Sequence, residues 1–244
     1  MINFKTYLTP SIPKDIFEIL ANYLENKCKV KVNLITEITS SGPKKGEPII
    51  DDLVCMCSPP YYWLYEKYKD IIELLPWVPL YKDPRNINLP LYFSDILIHK
   101  DNNEIKSLKD LNNHNWAYND TESLSGYFCI SDYKDKINMI CSGSHLNSIK
   151  MVSEKKVDIT CIDSNVLPFI NHDLKSIGYF GPHPIQPFIL NKNSKYKTII
   201  IDVFNSINDN IDVINQLNNY NIIKFIEINN EFFFGKYSIK NLIE

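Results

Sequence analysis

Short apolar strand patterns alternate with helix-spaced stretches along most of this chain of 244 residues. Ile2 to Leu8 and Val30 to Leu34 have the composition or alternation of strands, and between them apolar residues recur at helical spacing from Ile16 to Leu24. After residue 99 the pattern repeats, with short strands at 116–118, 137–141 and 157–162. Strands that alternate with helices predict an α/β fold, in which helices cover the faces of the sheets.

Polar side chains follow three successive strands in the second half of the chain. Ser123 and Ser125 come after the first strand, His145 after the second and Asp163 after the third. In open α/β sheets, ligands bind outside the carboxyl ends of the strands. The small-residue turns 123–127 and 143–145, each ahead of a helical pattern, also present backbone amides that suit a small anion. The sequence therefore predicts a ligand-binding cleft at this edge.

Each of these residues also has a purely structural explanation. A serine before a helix is most often an N-cap, which needs no ligand. A single histidine at a helix start is usually a surface or capping group, Asp163 could simply begin a helix, and Gly126 could serve only a tight turn. Taken one at a time these explanations are preferred, and only the convergence of the residues favours a ligand site.

Composition excludes several other classes of protein. The net charge is −3 and the pI is about 6.0, and no stripe of Lys or Arg suggests nucleic-acid binding. No apolar run approaches the roughly 20 residues that span a bilayer. Cys55 and Cys57 share one strand face, but no second pair has the spacing of a metal site, so we predict neither a metal nor a cofactor.

The cysteines and the N-terminal sequence bear on the compartment. The six cysteines lie mostly in apolar runs, where free thiols behave as small hydrophobic groups. Reduced core cysteines are typical of a cytosol-like compartment, and residues 1–5 lack the layout of a secretory signal. This expectation favours the cytoplasm unless a signal was removed.

The stretch from Tyr92 to Pro187 resembles the substrate-binding proteins of phosphonate, phosphite and phosphate ABC transporters. Order and spacing agree across several segments, whereas the first ninety residues and the C-terminal helices match more loosely. The matching segments are Leu91 to Ile98, Ser107 to Leu111, Trp116 to Asp120, Ser123 to Tyr127, Gly143 to Ile149, Val157 to Ser164 and Gly181 to Pro187.

The resemblance implies a type II periplasmic-binding-protein fold, with two α/β lobes joined by a hinge that the chain crosses twice. Lobe 1 is expected to comprise residues 1–94 and 189–244, and lobe 2, which binds the oxyanion, residues 95–188. The hinge is expected near 93–97 and 186–190. Binding proteins of this family work outside the membrane, so the resemblance favours a periplasmic or extracellular location, against the indication of the cysteines.

The resemblance also implies a set of ligand-binding residues. In lobe 2, Ser123, Ser125 and the amides up to Gly126 and Tyr127 would hold the oxyanion. His145 would add a donor and Asp163 an acceptor. Leu124 stands where the family usually has threonine, so an amide is kept and a hydroxyl is lost. The residues expected from the other lobe are Tyr61, Tyr62, Tyr92, Ser58 and Thr9.

We therefore predict a solute-binding protein that captures a small oxyanion, or a phosphorylated or phosphonate-like ligand, by hinge closure. An ABC permease is its expected partner if the protein is exported. No catalytic set of residues stands out. One alternative is a cytosolic enzyme on the same fold, acting on a small phosphorylated or carboxylated metabolite of cofactor biosynthesis. The other is a larger ligand, such as a vitamin phosphate, stacked on Tyr61, Tyr62 or Trp63.

Overall fold

The computed structural model describes all residues, 1–244, and contains twelve strands and seven α-helices. The strands are β1 Ile2–Thr6, β2 Val32–Thr36, β3 Leu53–Cys55, β4 Ile72–Leu74, β5 Trp77–Tyr81, β6 Leu91–Ile98, β7 Asn115–Tyr118, β8 Asn138–Cys141, β9 Ile159–Asp163, β10 Lys175–Pro184, β11 Phe188–Asn191 and β12 Ile222–Glu227. The helices are α1 Lys14–Cys28, α2 Ser58–Tyr68, α3 His145–Ser153, α4 Lys197–Asn205, α5 Ile211–Asn218, α6 Asn230–Phe234 and α7 Lys240–Ile243. Short 3₁₀ segments lie at Pro84–Asn86, Leu108–Asp110, Phe128–Lys136, Leu167–Phe169 and Ile207–Asp209.

The strands form two five-stranded sheets and one two-stranded ribbon. The first sheet has the order β2-β1-β3-β11-β4, and the second has the order β10-β6-β9-β7-β8. In the first, β1 is parallel to β2 and β3. In the second, β7 is parallel to β8 and β9. The carboxyl ends of these parallel strands therefore meet at one edge of each sheet. The ribbon pairs β5 with β12.

Apolar patterning explains the elements that build the core. Helix α1 buries Phe17, Leu20 and Leu24 on one face, and it ends before Lys29, whose φ of 55° cannot continue a right-handed helix. Every residue of β6 is buried, because this strand lies inside the second sheet between β9 and β10. The observed range of β6 is that of the first segment that matches the family, Leu91 to Ile98.

The chain crosses twice between the two five-stranded sheets. It leaves the ribbon strand β5 and enters β6 through residues 82–90, and it returns from β10 to β11 through residues 185–187. The second crossing touches the predicted hinge near 186–190. The first lies upstream of the predicted range 93–97, which falls inside β6. The division into lobes at these positions stays a prediction.

The two polar turns are followed by different kinds of helix. After 123–127 the chain forms the 3₁₀ segment Phe128–Lys136, which is interrupted at Ile130, rather than the regular helix that the sequence suggested. After 143–144 it forms α3, and the Ser144 side chain caps this helix by accepting from the Asn147 amide. Only the second turn therefore leads into a regular α-helix. No helix in the fold has the length and apolar character needed to cross a bilayer.

Candidate functional site

A small cavity of about 30 Å³ lies where the carboxyl ends of strands from both sheets meet. It has room for roughly two water molecules, since one water requires about 10–15 Å³. Residues that follow strands of the first sheet line one wall: Tyr7, Leu8, Ser11, Ile12, Ser41 and Cys57. The opposite wall follows strands of the second sheet: Asn119, Ser123, Ser125, His145, Asp163 and Val166. Gln186, from the return crossing, completes the lining.

The turn after β7 supplies two hydroxyl groups and one unused amide. The Ser123 hydroxyl accepts a hydrogen bond from the Gly126 amide at 3.1 Å, and the Tyr127 amide donates to the Ser123 carbonyl. The Leu124 amide donates to the Cys57 thiol, 3.3 Å away. These bonds leave the Ser125 amide without a partner in the protein. Fewer amides are therefore free to bind a ligand than the prediction for the turn up to Gly126 and Tyr127 implied, because most of them donate hydrogen bonds within the protein.

His145 is the first residue of α3 and is 4% exposed. Its Nε2 lies 3.2 Å from the Ser125 hydroxyl, and its Nδ1 has no partner. Burial lowers the pKa of His145 to about 4, because the charged imidazolium would lose its hydration. The side chain is therefore a neutral imidazole near pH 7, able to donate or accept one hydrogen bond at each nitrogen according to its tautomer.

Asp163 ends β9 and is 2% exposed. One of its carboxyl oxygens accepts from the Asn165 amide at 2.7 Å, and the other from the Gln186 side chain at 2.5 Å. Burial raises the pKa of this carboxyl to about 7, and the two hydrogen bonds only partly oppose that shift. No Lys or Arg lines the cavity. The site is thus polar, close to electrically neutral, and able to hold a proton on Asp163.

Two polar contacts connect the walls of the cavity. Ser41, in the loop after β2, donates from its hydroxyl to the Asp120 carboxylate at 2.6 Å. Cys57, after β3, accepts from Leu124 as described, and burial raises the pKa of its thiol to about 12. A neutral thiol can stand beside a carboxyl group without repelling it. These contacts hold the two walls together around the cavity.

The structure brings four of the predicted site residues together: Ser123, Ser125, His145 and Asp163 all line the cavity. Leu124 and Gly126 lie in the same turn, but the Leu124 side chain is buried in the main hydrophobic core. Tyr127 also belongs to this turn, yet its ring packs against Tyr118 and Phe128 rather than lining the cavity.

The tyrosines expected to close over a ligand lie elsewhere. Tyr61 and Tyr62 pack against Phe234 of α6, and the Tyr61 hydroxyl donates to Asn230. Tyr92 is fully buried in β6, with its ring against His183 and its hydroxyl unpartnered beside Cys57. None of the three lines the cavity.

Ser58 and Thr9, the weaker candidates, are buried next to the cavity wall without forming part of it. The Ser58 hydroxyl donates to the Pro184 carbonyl at 3.3 Å, so this serine connects α2 to the end of β10. The Thr9 hydroxyl has no partner, and its neighbours Leu8 and Ser11 line the cavity in its place.

Several lining residues escaped the sequence analysis, notably Asn119, Ser41, Cys57, Ser11 and Gln186. Asn119 directly follows β7 and lies in the matching segment Trp116 to Asp120, without a predicted role of its own. Cys57 was interpreted as a core thiol. The rule that ligands bind at carboxyl ends of strands, applied to β1, β3 and β7, identifies Ser11, Cys57 and Asn119 as candidates. Nothing comparable in the sequence identifies Ser41, which is brought to the cavity by a long loop.

Two α/β sheets with a polar cavity between their strand ends have the architecture of the type II periplasmic-binding-protein fold. Residues 76–233 match the family described as phosphonate ABC-transporter periplasmic substrate-binding proteins. The match covers more than half of the chain, and the chain belongs to this family. It is thus a substrate-binding protein of a family that works with ABC transporters.

Three solved structures illustrate proteins with the same fold as this chain. The binding component of a phosphonate ABC transporter from Pseudomonas aeruginosa is 15% identical, with a TM-score of 0.72 over 95% of this chain and 82% of that one. PhnD1 from Prochlorococcus marinus, in complex with methylphosphonate, is 14% identical, with a TM-score of 0.69 over 99% and 95%. A Xanthomonas citri protein bound to ATP is 12% identical, with a TM-score of 0.70 over 99% and 95%. No curated protein matches the sequence.

Proposed function

We propose that this protein binds a small tetrahedral oxyanion, a phosphonate or phosphate, in the cavity between its two sheets. One observation carries the proposal: Ser123, Ser125, His145 and Asp163, which follow three different strands, converge on one buried cavity. Hydroxyl, amide and imidazole donors of this kind bind oxyanions without a cationic side chain. The PhnD1 relative, which is solved with methylphosphonate, supports the same ligand class.

In this proposal the Ser125 hydroxyl and amide, the Ser123 hydroxyl and the His145 imidazole donate to the ligand oxygens. The Ser125 hydroxyl and the neutral imidazole have one proton each, so the hydrogen bond between them is broken when both donate to the ligand. Hydrogen bonds to a charged group contribute about 1.5–3 kcal/mol each. Four of them, less the entropy lost on capture, are enough for the roughly −8 kcal/mol of micromolar binding. Asp163 accepts from a protonated oxygen or another donor of the ligand.

The proposed motion is a hinge closure about the two crossings, residues 82–90 and 185–187. The contacts of Ser41 with Asp120 and of Cys57 with Leu124 belong to the closed state in this account, since each joins residues that follow strands of different sheets. Closure would then be the signal that an ABC permease recognises, which is the partner we propose from the family.

The size and lining of the cavity argue for a small ligand. Its volume is about 30 Å³, and Tyr61 and Tyr62 are committed to packing against Phe234. Methylphosphonate and phosphate have five heavy atoms each, so the walls must part modestly to admit them to a space for about two waters. A larger ligand, such as a vitamin phosphate or the ATP bound to the Xanthomonas citri protein, would need a far wider opening of the cleft.

One observation supports the alternative of an enzyme on the same fold. The Ser125 hydroxyl lies 3.2 Å from His145 Nε2, as a nucleophile and its base would. His145 Nδ1, however, has no carboxylate to orient the ring. We therefore favour binding, and recovery of a chemically altered ligand after incubation would favour the enzyme.

The experiment is a ligand panel on the purified protein. Denaturation followed by mass spectrometry identifies any ligand that is retained. Thermal shift and calorimetry then compare phosphate, phosphite, methylphosphonate, sulfate and vitamin phosphates. We expect one site and an affinity near micromolar for at least one of the first three. A response only to vitamin phosphates would contradict the proposed ligand class.

A further inference from the structure

Asn119 is a buried polar residue of the cavity wall to which no role has been assigned. It directly follows β7, lines the cavity beside Ser123 and His145, and is 4% exposed. Its amide nitrogen donates to the Asp120 carboxylate at 2.7 Å, whereas its Oδ1 has no partner. A buried acceptor without a partner is costly, so it needs an explanation.

The orientation of the Asn119 amide follows from chemistry. An ionised carboxylate only accepts hydrogen bonds, so the group 2.7 Å from Asp120 must be the NH₂ end of the side chain. The oxygen is then on the side away from Asp120, against Gly126. A Cβ on Gly126 would lie 1.9 Å from this oxygen, so glycine is required at 126 for the close approach of Asn119.

Asp120 is itself held from the other wall of the cavity. Its carboxylate accepts from the Ser41 hydroxyl at 2.6 Å and from the Ser41 amide at 3.4 Å, and on its own side from the Glu122 amide at 2.9 Å. The carboxylate that fixes Asn119 is therefore positioned partly by a residue across the cleft. The Asn119 oxygen is held in place most firmly when the two walls are in contact.

We propose that Asn119 is a specificity-determining residue, whose Oδ1 accepts a hydrogen bond from a protonated phosphoryl oxygen of the bound ligand. The inference rests on the proposed function and deepens it. A tetrahedral ligand in this cavity meets donors at Ser123 and Ser125 and an acceptor at Asn119, whereas Asp163 donates or accepts according to its own protonation state. Only a ligand that carries both unprotonated and protonated oxygens satisfies both sets, and an oxyanion without a proton leaves Asn119 unpaired.

Calorimetry with inorganic phosphate and sulfate tests this proposal at neutral pH, where phosphate retains a proton and sulfate has none. In the Asn119→Leu variant we expect phosphate affinity to fall about tenfold, the loss of one hydrogen bond to a charged ligand. Sulfate affinity, measured directly or by competition, should change less than about twofold, so the phosphate-to-sulfate preference should collapse. Asn115→Leu, the same change at the other end of β7, is the matched control and should alter neither affinity.

The Ser41→Ala variant leaves Asn119 in place but removes the hydroxyl that helps to hold Asp120. It should reduce the phosphate-to-sulfate preference by about two- to threefold. This second variant provides the test if Asn119→Leu does not fold. Equal losses for phosphate and sulfate, or an unchanged preference in both variants, would overturn the role of Asn119. If the wild-type protein binds neither phosphate, methylphosphonate nor sulfate, the proposed function itself fails.

Discussion

The two walls of the cavity differ in chemistry. The wall after the second sheet carries the buried hydroxyls, His145 and Asp163, whereas the opposite wall offers Leu8, Ile12, the neutral thiol of Cys57 and the half-buried Tyr7, Ser11 and Ser41. We infer that the first of these walls binds the ligand and that the second closes on it. Substitutions in the two walls should therefore have different consequences, and the following predictions are arranged from the largest expected effect to the smallest.

The largest effect concerns stability and belongs to Asp163. Its pKa is about 7 in the fold, above the usual value near 4. The unfolded chain therefore loses this proton near pH 4, whereas the folded protein keeps it until about pH 7, so the penalty on folding grows between these two pH values. The Asp163→Asn variant lacks this penalty. Relative to wild type it should gain about 4 kcal/mol in unfolding free energy between pH 4 and pH 8.

Urea unfolding of the two proteins across this range measures the effect. The pH dependence of the difference is the quantity to compare, because the substitution also removes a hydrogen bond at every pH. A difference that does not change with pH would mean that Asp163 is ionised in the fold, and the near-neutral character of the binding wall would be wrong.

Gly126→Ala should nearly abolish binding. The added Cβ would lie 1.9 Å from the Asn119 oxygen, and the wall must shift to relieve that contact. We expect methylphosphonate affinity to fall by about 100-fold or more in calorimetry. Gly143→Ala is a useful control, because its Cβ meets no atom within 4 Å and only its φ of 84° is unfavourable. That variant should lose stability with little loss of affinity, and equal affinity losses in both would contradict the packing argument.

Ser125→Ala should weaken oxyanion binding about 10- to 100-fold, because it removes the hydroxyl that pairs with His145 and faces the cavity. Ser148→Ala removes a buried hydroxyl of α3 that pairs with Ser142 outside the cavity lining. It should leave the affinity unchanged. Unaltered calorimetric affinity in Ser125→Ala would remove this serine from the binding wall.

Cys57→Ala should have the smallest effect on affinity, about three- to tenfold, because it removes only the acceptor for the Leu124 amide.

The reactivity of the Cys57 thiol in the wild-type protein also reports on closure. Cys141 is exposed and should react with a thiol reagent at the same rate with or without ligand, whereas buried Cys57 should react more slowly once methylphosphonate is bound. Equal rates at Cys57 in both states would contradict closure by this wall.

The same contrast governs how much the sequence could predict. Strands such as β6 and the polar turns after β7 and β8 were predictable because each depends on local pattern: apolar runs, small residues and a helix cap at Ser144. Ser123, Ser125, His145 and Asp163 were predicted as site residues for that reason, and all four line the cavity. Ser41 and Cys57 were not predicted as site residues, because their positions depend on contacts between residues that are distant in the sequence and belong to different sheets.

Long-range packing also explains why Tyr61 and Tyr62 lie outside the cavity lining. Tyr61 and Tyr62 occupy the beginning of α2, close to the cleft in sequence, but Phe234 near the C-terminus packs against both rings. No local pattern in residues 58–68 indicates that partner. Leu124 is a different case. The sequence shows that it departs from the family motif, but it does not show that the Cys57 thiol accepts a hydrogen bond from its amide.

The most direct test of this account is a crystal structure of the protein grown with methylphosphonate. We predict the phosphonate group between the two walls, with oxygens within hydrogen-bond distance of the Ser125 and His145 side chains, and with Ser41 and Cys57 closed against Asp120 and Leu124. A phosphonate bound outside this cavity, or bound within it by the wall of the first sheet alone, would contradict the assignment of binding to one wall and closure to the other.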